Sequence, residues 1–318
     1  MIKKQMKIID MHQDLMLYVS RPELYKDKHK QTSFEQIKKN GLKVVVASVF
    51  VVPKKENYLD PSANTLMEKS LQAYAAYCAE HPEFIIIKDR KDLKKVLATY
   101  GLYGLVLHIE GLNVFDAKNG WKMLEHFYAL GLRSIGPMWN INNPFGGGTL
   151  DRERGLTALG KKLIAWCEKR GVIFDCAHMN EKTFWDAVKI TTKPIMVSHG
   201  NSRAVLDHVR NYSDRQLEHI AKTNGVIGIF FSKKFLSGEK RATMKTVGAH
   251  IDHFVHIAGE NSIAIGSDFG GIISGFPDGL YSVDDLPTFL EKISNSSKTL
   301  GDKMAWKNAL RVIHSHLF

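Results

Sequence analysis

The stretch IIDMHQDLM, residues 8–16, decides how the rest of the chain is read. Two isoleucines, Ile8 and Ile9, lead into an acid, a histidine and a second acid. On an extended strand, side chains two apart point the same way, so His12 and Asp14 share one face, with Asp10 one step deeper. A surface turn would also account for three polar residues. The question is whether the chain repeats the pattern.

It does. Short apolar, β-branched runs recur as KIIDMH (7–12), KVVVASVFVV (43–52), GLVLHIEG (104–111), RSIGPMWN (133–140), GVIFDCAH (171–178), KPIMVSHG (193–200), GVIGIFF (225–231) and SIAIGSDFG (262–270). Amphipathic stretches of helical period lie between them. Examples are LTALGKKLIAWCEKRG (156–171) and SDRQLEHIAKTNG (213–225), the latter opened by Ser213 as an N-cap. Near-continuous hydrophobic strands alternating with helices specify a parallel sheet covered on its faces. Eight strands suit a closed (β/α)8 barrel. The expected architecture is therefore α/β, a single TIM-type barrel over residues 1–318 with C-terminal helices packed on it. A doubly wound open sheet is the alternative, but it does not explain where the polar residues fall.

Six of the eight runs end in a residue able to bind a metal or move a proton, or in an aromatic–amide pair. The first ends in His12 and Asp14, the third in Glu110, the fourth in Trp139 and Asn140. The fifth ends in His178, the sixth in His199 and the eighth in Asp268. A barrel gathers the C-terminal ends of its strands into one ring, where barrel enzymes build their active sites. Any single histidine after a strand is more often a loop residue than a ligand. Recurrence on several strands weakens that reading. Among the other histidines, His108, His126, His219, His250, His253, His256, His314 and His316 read as structural or surface residues.

Imidazole and carboxylate without thiolate suit Zn2+ and related divalent ions. One tetrahedral catalytic site needs three protein ligands, whereas His12, Asp14, Glu110, His178 and His199 supply five. Two metals bridged by a carboxylate would use them all. Such ions, about 3.5–4 Å apart, activate a hydroxide for attack on a carbonyl or phosphoryl centre. Asp268 would remain for proton transfer.

Composition sets the bounds. Of 318 residues, 44% are hydrophobic and 24% charged, the profile of an ordinary globular protein with a sizeable core. The net charge is +11, but the basic residues are scattered through KDKHK, KDRKDLKK and SKKFLSGEKR as solvated faces. That is not the clustered footprint of a nucleic-acid binder. Cys78, Cys167 and Cys176 make neither a disulfide framework nor a metal knuckle, which suits a reducing cytosol. The start, MIKKQMKIID, lacks the apolar core of a secretion signal. No apolar run approaches the ~20 residues of a membrane span. The expectation is a cytoplasmic protein without nucleic-acid or membrane partners.

At these residues the sequence resembles the membrane (renal) dipeptidase family of zinc metallopeptidases, in a short bacterial-type form. The likeness runs in order through DMHQDL, HIEG, GLTALGKKLIAWCEKRGVIFDCAHMNEKTFWDAV, KPIMVSHGNSRAV, VRNYSDRQLEHIAKTNGVIGI and AIGSDFGG. The resemblance implies a metallo-dependent hydrolase barrel that cleaves dipeptides with hydroxide activated by two Zn2+ ions. His12 and Asp14 would bind one zinc, His178 and His199 the other, and Glu110 would bridge them. Asp268 would serve as general base or acid, and Arg210 would hold the substrate's terminal carboxylate. Trp139 and Asn140 would line the substrate site, and a homodimer is a further implication.

Two departures stand out. Trp139 occupies the place of a histidine in the renal enzyme, and Gly270 a place where the family often has a second Asp. Gly146–Gly148, in the loop after the fourth run, fit a mobile rim better than an anion cradle. Two alternatives remain at this stage: another binuclear amidohydrolase acting on a cyclic amide or ester, and a non-catalytic barrel binding protein. Amidohydrolases usually begin with His-x-His, which this chain lacks.

Overall fold

The computed structural model describes residues 6–16, 31–51, 62–113, 115 and 118–318. The basic run KDKHK lies outside the described residues. The apolar runs become parallel strands: β1 (Ile8–Gln13), β2 (Leu42–Phe50), β4 (Tyr103–Glu110), β5 (Leu132–Gly136), β6 (Ile173–Phe174), β7 (Met196–Gly200), β8 (Val226–Ile229) and β9 (Ile263–Ile265). All six residues of β1 are buried, as a strand covered on both faces demands. A further strand, β3 (Phe84–Ile86), escaped the sequence reading. It pairs with the first residues of β4, while β5 takes the later ones on the same edge.

The hydrogen-bonded order is β6-β5-β4-β2-β1-β9-β8-β7. A parallel bridge between Asp175 and Met196 joins the two ends of that order. The Cys176 N–H donates to the Met196 carbonyl there at 2.9 Å. The sheet thus closes into the expected barrel.

Helices follow the strands: α1 (Phe34–Asn40), α2 (Ser62–Glu80), α3 (Arg90–Ala98), α4 (Gly120–Leu130), α5 (Ala158–Arg170), α6 (Glu181–Val188) and α7 (Asp214–Lys222). After them come α8 (Lys233–Leu236), α9 (Met244–Ala258), α10 (Leu286–Ser296), α11 (Lys298–Asp302) and α12 (Asn308–His316). The α7 start is legible: Ser213 is extended, and its N–H donates to Gln216 Oε1 at 3.0 Å. The α5 helix ends at Gly171, whose φ of 66° favours glycine.

The last helix lies across the N-terminal ends of the strands. Arg311 Nη2 on α12 reaches the carbonyls of Gly225 and Asn261, just before β8 and β9. Lys193 Nζ, before β7, donates to the Ser315 carbonyl at 3.3 Å. Val312, Ile313 and Leu317 pack in one buried cluster with Val44, Val46, Val106 and Ala264 of the strands. One barrel end is thereby plugged with hydrocarbon, leaving chemistry to the other.

The glycine run expected as a mobile rim is instead packed. Asn143 bridges to Gly146 and Gly148 to Met179, and Gly147 N–H donates to Thr183 Oγ1 at 2.9 Å. A Cβ on Gly148 would sit 2.3 Å from the Trp139 carbonyl oxygen. Close backbone approach, rather than flexibility, requires glycine there.

Candidate metal centre

Apart from Arg210, the candidate residues stand at or within a few residues of the C-terminal end of a strand. His12 lies in β1 and Asp14 just beyond it; Glu110 ends β4 and His199 lies in β7. Asn140, His178 and Asp268 follow β5, β6 and β9, and Arg210 sits in the loop after β7. The β1 and β9 ends are stitched together: Asp268 N–H donates to the His12 carbonyl at 3.0 Å, and Asp14 N–H to the Phe269 carbonyl at 2.8 Å. Asp10, one step deeper, accepts from Ser267 N–H at 3.0 Å and Ser267 Oγ at 2.5 Å. It ties β1 to β9 below the centre.

The side chains converge. His12 Nε2 is 3.7 Å from Asp14 Oδ2, 3.8 Å from Glu110 Oε1 and 3.6 Å from Asp268 Oδ1. Glu110 Oε1 is also 2.8 Å from His178 Nε2 and 3.6 Å from His199 Nε2. The two histidines meet with Nε2 atoms 3.0 Å apart. Arg210 Nη2 approaches His178 Nε2 at 3.0 Å. His178 and Asp268 have φ of 62° and 60°. Such left-handed conformations are uncommon without glycine and persist where surrounding structure enforces them, often at functional sites.

A divalent cation fits these residues. His12 is fully buried, yet neither ring nitrogen has a hydrogen-bond partner among the described residues. Asp14 Oδ1 is likewise buried without one. Buried polar atoms in native proteins normally have partners, so these point to an ion. One donor atom each from His12, Glu110 and His199 lies within 4.8 Å of the others, as do donors from His12, Asp14 and Asp268.

Electrostatics agree. Burial opposes protonation of His12, but Glu110, Asp14 and Asp268 outweigh it and push its pKa up to about 10. Carboxylates that strongly attract a proton attract a metal cation for the same reason. Burial, Arg210 and His12 drive His178 well below 6.5; burial, His12 and Arg210 do the same to His199. Both therefore stay neutral, the state a metal ligand requires. Burial raises Glu110 to about 7, and raises Asp268 well above its ordinary value.

Around the donors stands an apolar wall. The Trp139 ring lies 6.3 Å from His178 and 5.1 Å from Phe50. The Arg210 guanidinium sits 5.9 Å from the Phe230 ring and 5.8 Å from that of Phe235. Arg210 is buried, with Nε and Nη1 unpartnered among the described residues. Asn140 points its Oδ1 at His178 Nδ1, 2.9 Å away. At Gly270, φ is 98° and a Cβ would lie 2.6 Å from the Asp14 carbonyl oxygen, so an aspartate would be strained here.

Sequence reasoning passed over three buried residues near the centre. His108, read as structural or surface, lies inside, its ring 5.4 Å from that of His12. Asp175 and Ser198 lie behind His199. The period-two step from Glu110 back to His108 was the available signal.

The profile of the membrane dipeptidase family, peptidase family M19, matches residues 1–316. A protein from the region 5′ of pqqA in Klebsiella pneumoniae is 39% identical over 66% of this chain and 80% of its own length. An uncharacterised dipeptidase of Schizosaccharomyces pombe is 27% identical over 98% of this chain and 80% of its own. Among solved structures, a Rhodobacter sphaeroides metallopeptidase, liganded with a phosphinate mimic of L-Ala-D-Ala, superposes with a TM-score of 0.87. It shares 24% identity over 98% of this chain and 99% of its own, a likeness of fold.

Proposed function

The chain belongs to the membrane dipeptidase family, whose members are metal-dependent hydrolases of dipeptides, and from that premise we propose that it cleaves dipeptides at the centre built on Glu110. The observation that carries this reading is the meeting of His178 Nε2, His199 Nε2 and Glu110 Oε1 within 3.6 Å, beside an unpartnered His12. His12 and Asp14 would hold one Zn2+, His178 and His199 a second, with Glu110 between them. The donor set of imidazole and carboxylate supports zinc. When bound, the paired ions would lower the pKa of a water and polarise the peptide carbonyl.

The chain's own residues supply the rest. Arg210 is a buried guanidinium with Nε and Nη1 unpartnered among the described residues, suited to capture of the dipeptide's carboxylate. Asp268, raised by burial, is suited to take a proton from the attacking water and return it to the leaving amine. Trp139, Phe230 and Phe235 exclude water from the reacting carbonyl, which strengthens each electrostatic contact. No helix among the described residues is long and apolar enough to cross a membrane. Three free cysteines, their thiols pushed up by burial, support a cytoplasmic setting. A homodimer is proposed on the family alone.

Metal analysis combined with a dipeptide screen in both chiralities tests the reading. Two equivalents of divalent metal, turnover of dipeptides and its loss in His178→Ala are expected. Metal-free protein after zinc loading, or a His178→Ala variant as active as the parent, would refute it.

A further inference from the structure

We propose that Asn140 and the Asp175–Ser198 pair are positioning residues that fix the ring tautomers of His178 and His199, so that both Nε2 lone pairs aim at one point. The inference rests on the reading above, that these histidines bind metal. A neutral imidazole carries one N–H, so the partner of one nitrogen decides what the other can do.

For His178 the assignment can be made from both ends of the ring. Arg210 Nη2, 3.0 Å from Nε2, can only donate, and Glu110 Oε1, though 2.8 Å away, has no hydrogen-bond partner among the described residues, so Nε2 is the unprotonated nitrogen. The proton then sits on Nδ1, and Asn140 must present oxygen to it, as it does at 2.9 Å. Thr149 Oγ1 donates to the same Asn140 oxygen at 3.1 Å and steadies the amide. Thr149 N–H also donates to the His178 carbonyl at 3.1 Å, which helps hold the left-handed backbone there.

His199 is fixed through a relay. Asp175 Oδ1 accepts the N–H groups of Ser198 at 2.8 Å and Ala177 at 3.0 Å. Its Oδ2 accepts the Ser198 hydroxyl at 2.5 Å. That hydroxyl has spent its one proton, so at 3.0 Å from His199 Nδ1 it can only accept. His199 therefore donates from Nδ1 and keeps Nε2 unprotonated. Two lone pairs thus face each other across 3.0 Å beside Glu110, an arrangement that suits a shared positive charge. His12, by contrast, has no such partner on either nitrogen among the described residues.

The relay makes an uncommon prediction about an isosteric change. In Asp175→Asn the two backbone N–H groups keep the amide oxygen at the Oδ1 place, leaving an NH2 to face Ser198. That NH2 donates, Ser198 turns its proton toward His199 Nδ1, and the ring is driven into the tautomer that cannot bind metal through Nε2. Ser198→Ala only frees the ring to choose, so it should do less harm. A merely structural role predicts the opposite order, because deletion disturbs packing more than isosteric exchange.

The experiment is Zn2+ titration of the purified full chain against a chromophoric chelator, with Co2+ absorption spectra and circular dichroism alongside. Outer partners of metal-bound histidines typically carry about 10–100-fold in affinity. Asp175→Asn should weaken one of two equivalents by about 100-fold and Ser198→Ala by about 10-fold, at the extremes of that range. Asn140→Leu, which likewise only frees its ring, should resemble Ser198→Ala, and Asn140→Asp, which keeps the acceptor, should restore binding and the Co2+ spectrum. Should Asn140→Leu not fold, Asp175→Asn decides alone. Wild-type affinity in folded Asp175→Asn, or greater loss in Ser198→Ala, overturns the proposal while leaving the dipeptidase reading intact. A parent chain that takes up no zinc defeats both.

Discussion

A Cβ placed on Gly271 would lie 2.5 Å from Asp14 Oδ2 and 2.8 Å from Asp268 Oδ1, so these two carboxylates close over a bare stretch of backbone. A methyl group there must displace one or both. Asp14 and Asp268 also crowd His12 Nε2 at 3.7 and 3.6 Å. Gly271→Ala should therefore act on the centre and not on the fold. Zinc affinity is expected to fall about 10–100-fold, the range typical of disturbed ligand orientation. The Tm of metal-free protein should move by less than about 2–4 °C, the shift that 1 kcal/mol produces in larger domains. Unchanged affinity by chelator competition would show that the acids yield without cost.

Arg210 offers a separate test, because its proposed role is binding and not chemistry. It is buried beside the Phe230 and Phe235 rings with two nitrogens unpartnered among the described residues. A hydrogen bond to a charged group contributes about 1.5–3 kcal/mol, or roughly 10–150-fold. Arg210→Met should raise KM for free dipeptides by about that factor while changing kcat less. Dipeptide amides, which lack the carboxylate, should lose little. Equal losses for acid and amide substrates would assign Arg210 to another task.

The barrel was legible because a parallel strand buried on both faces leaves a continuous apolar run, and eight such runs stand in the sequence. The β3 strand was not legible. Three residues, Phe84–Ile86, give no period, and their pairing depends on an edge that β5 leaves uncovered. The convergence of His12, Asp14, Glu110, His178, His199 and Asp268 followed from strand-end positions, whereas Arg210, in the loop after β7, was expected from the family resemblance alone. What could not be read was who holds whom. Asn140 was expected against the substrate, yet its oxygen is taken by His178 and Thr149, through contacts across loops after different strands. His108 was left open between a structural and a surface residue: a histidine inside a barrel and one on its surface look alike in sequence, and burial places it inside.

The plug at the far end of the barrel should govern stability without touching catalysis. Ile313 is fully buried in the cluster that joins α12 to the strands. Truncating such a residue costs about 2–5 kcal/mol. Ile313→Ala should lower the urea midpoint accordingly while leaving zinc stoichiometry and kcat at 25 °C unchanged. A loss of metal in the folded variant would show that the two barrel ends are coupled.

Acid sensitivity should come partly from buried histidines outside the candidate metal centre. His250 Nδ1 accepts the Ser202 N–H at 3.1 Å and its Nε2 donates to the Leu236 carbonyl at 3.0 Å, a fully used neutral ring. Burial holds its pKa below the ordinary 6.5, and burial lowers His316 as well. Above pH 6.5 both rings are neutral in folded and unfolded chains, so they add no pH dependence. Below it the unfolded chain takes up protons first, and the folded chain resists. The unfolded state then binds more protons, so stability present above pH 6.5 is lost as pH falls toward the depressed folded values. Thermal melts of chelator-treated protein should show Tm declining from pH 7 to pH 5. His250→Gln, which carries no titrating ring, should flatten part of that decline even if its Tm at pH 7 is lower. A variant whose Tm falls as steeply as the parent's would remove His250 from the account.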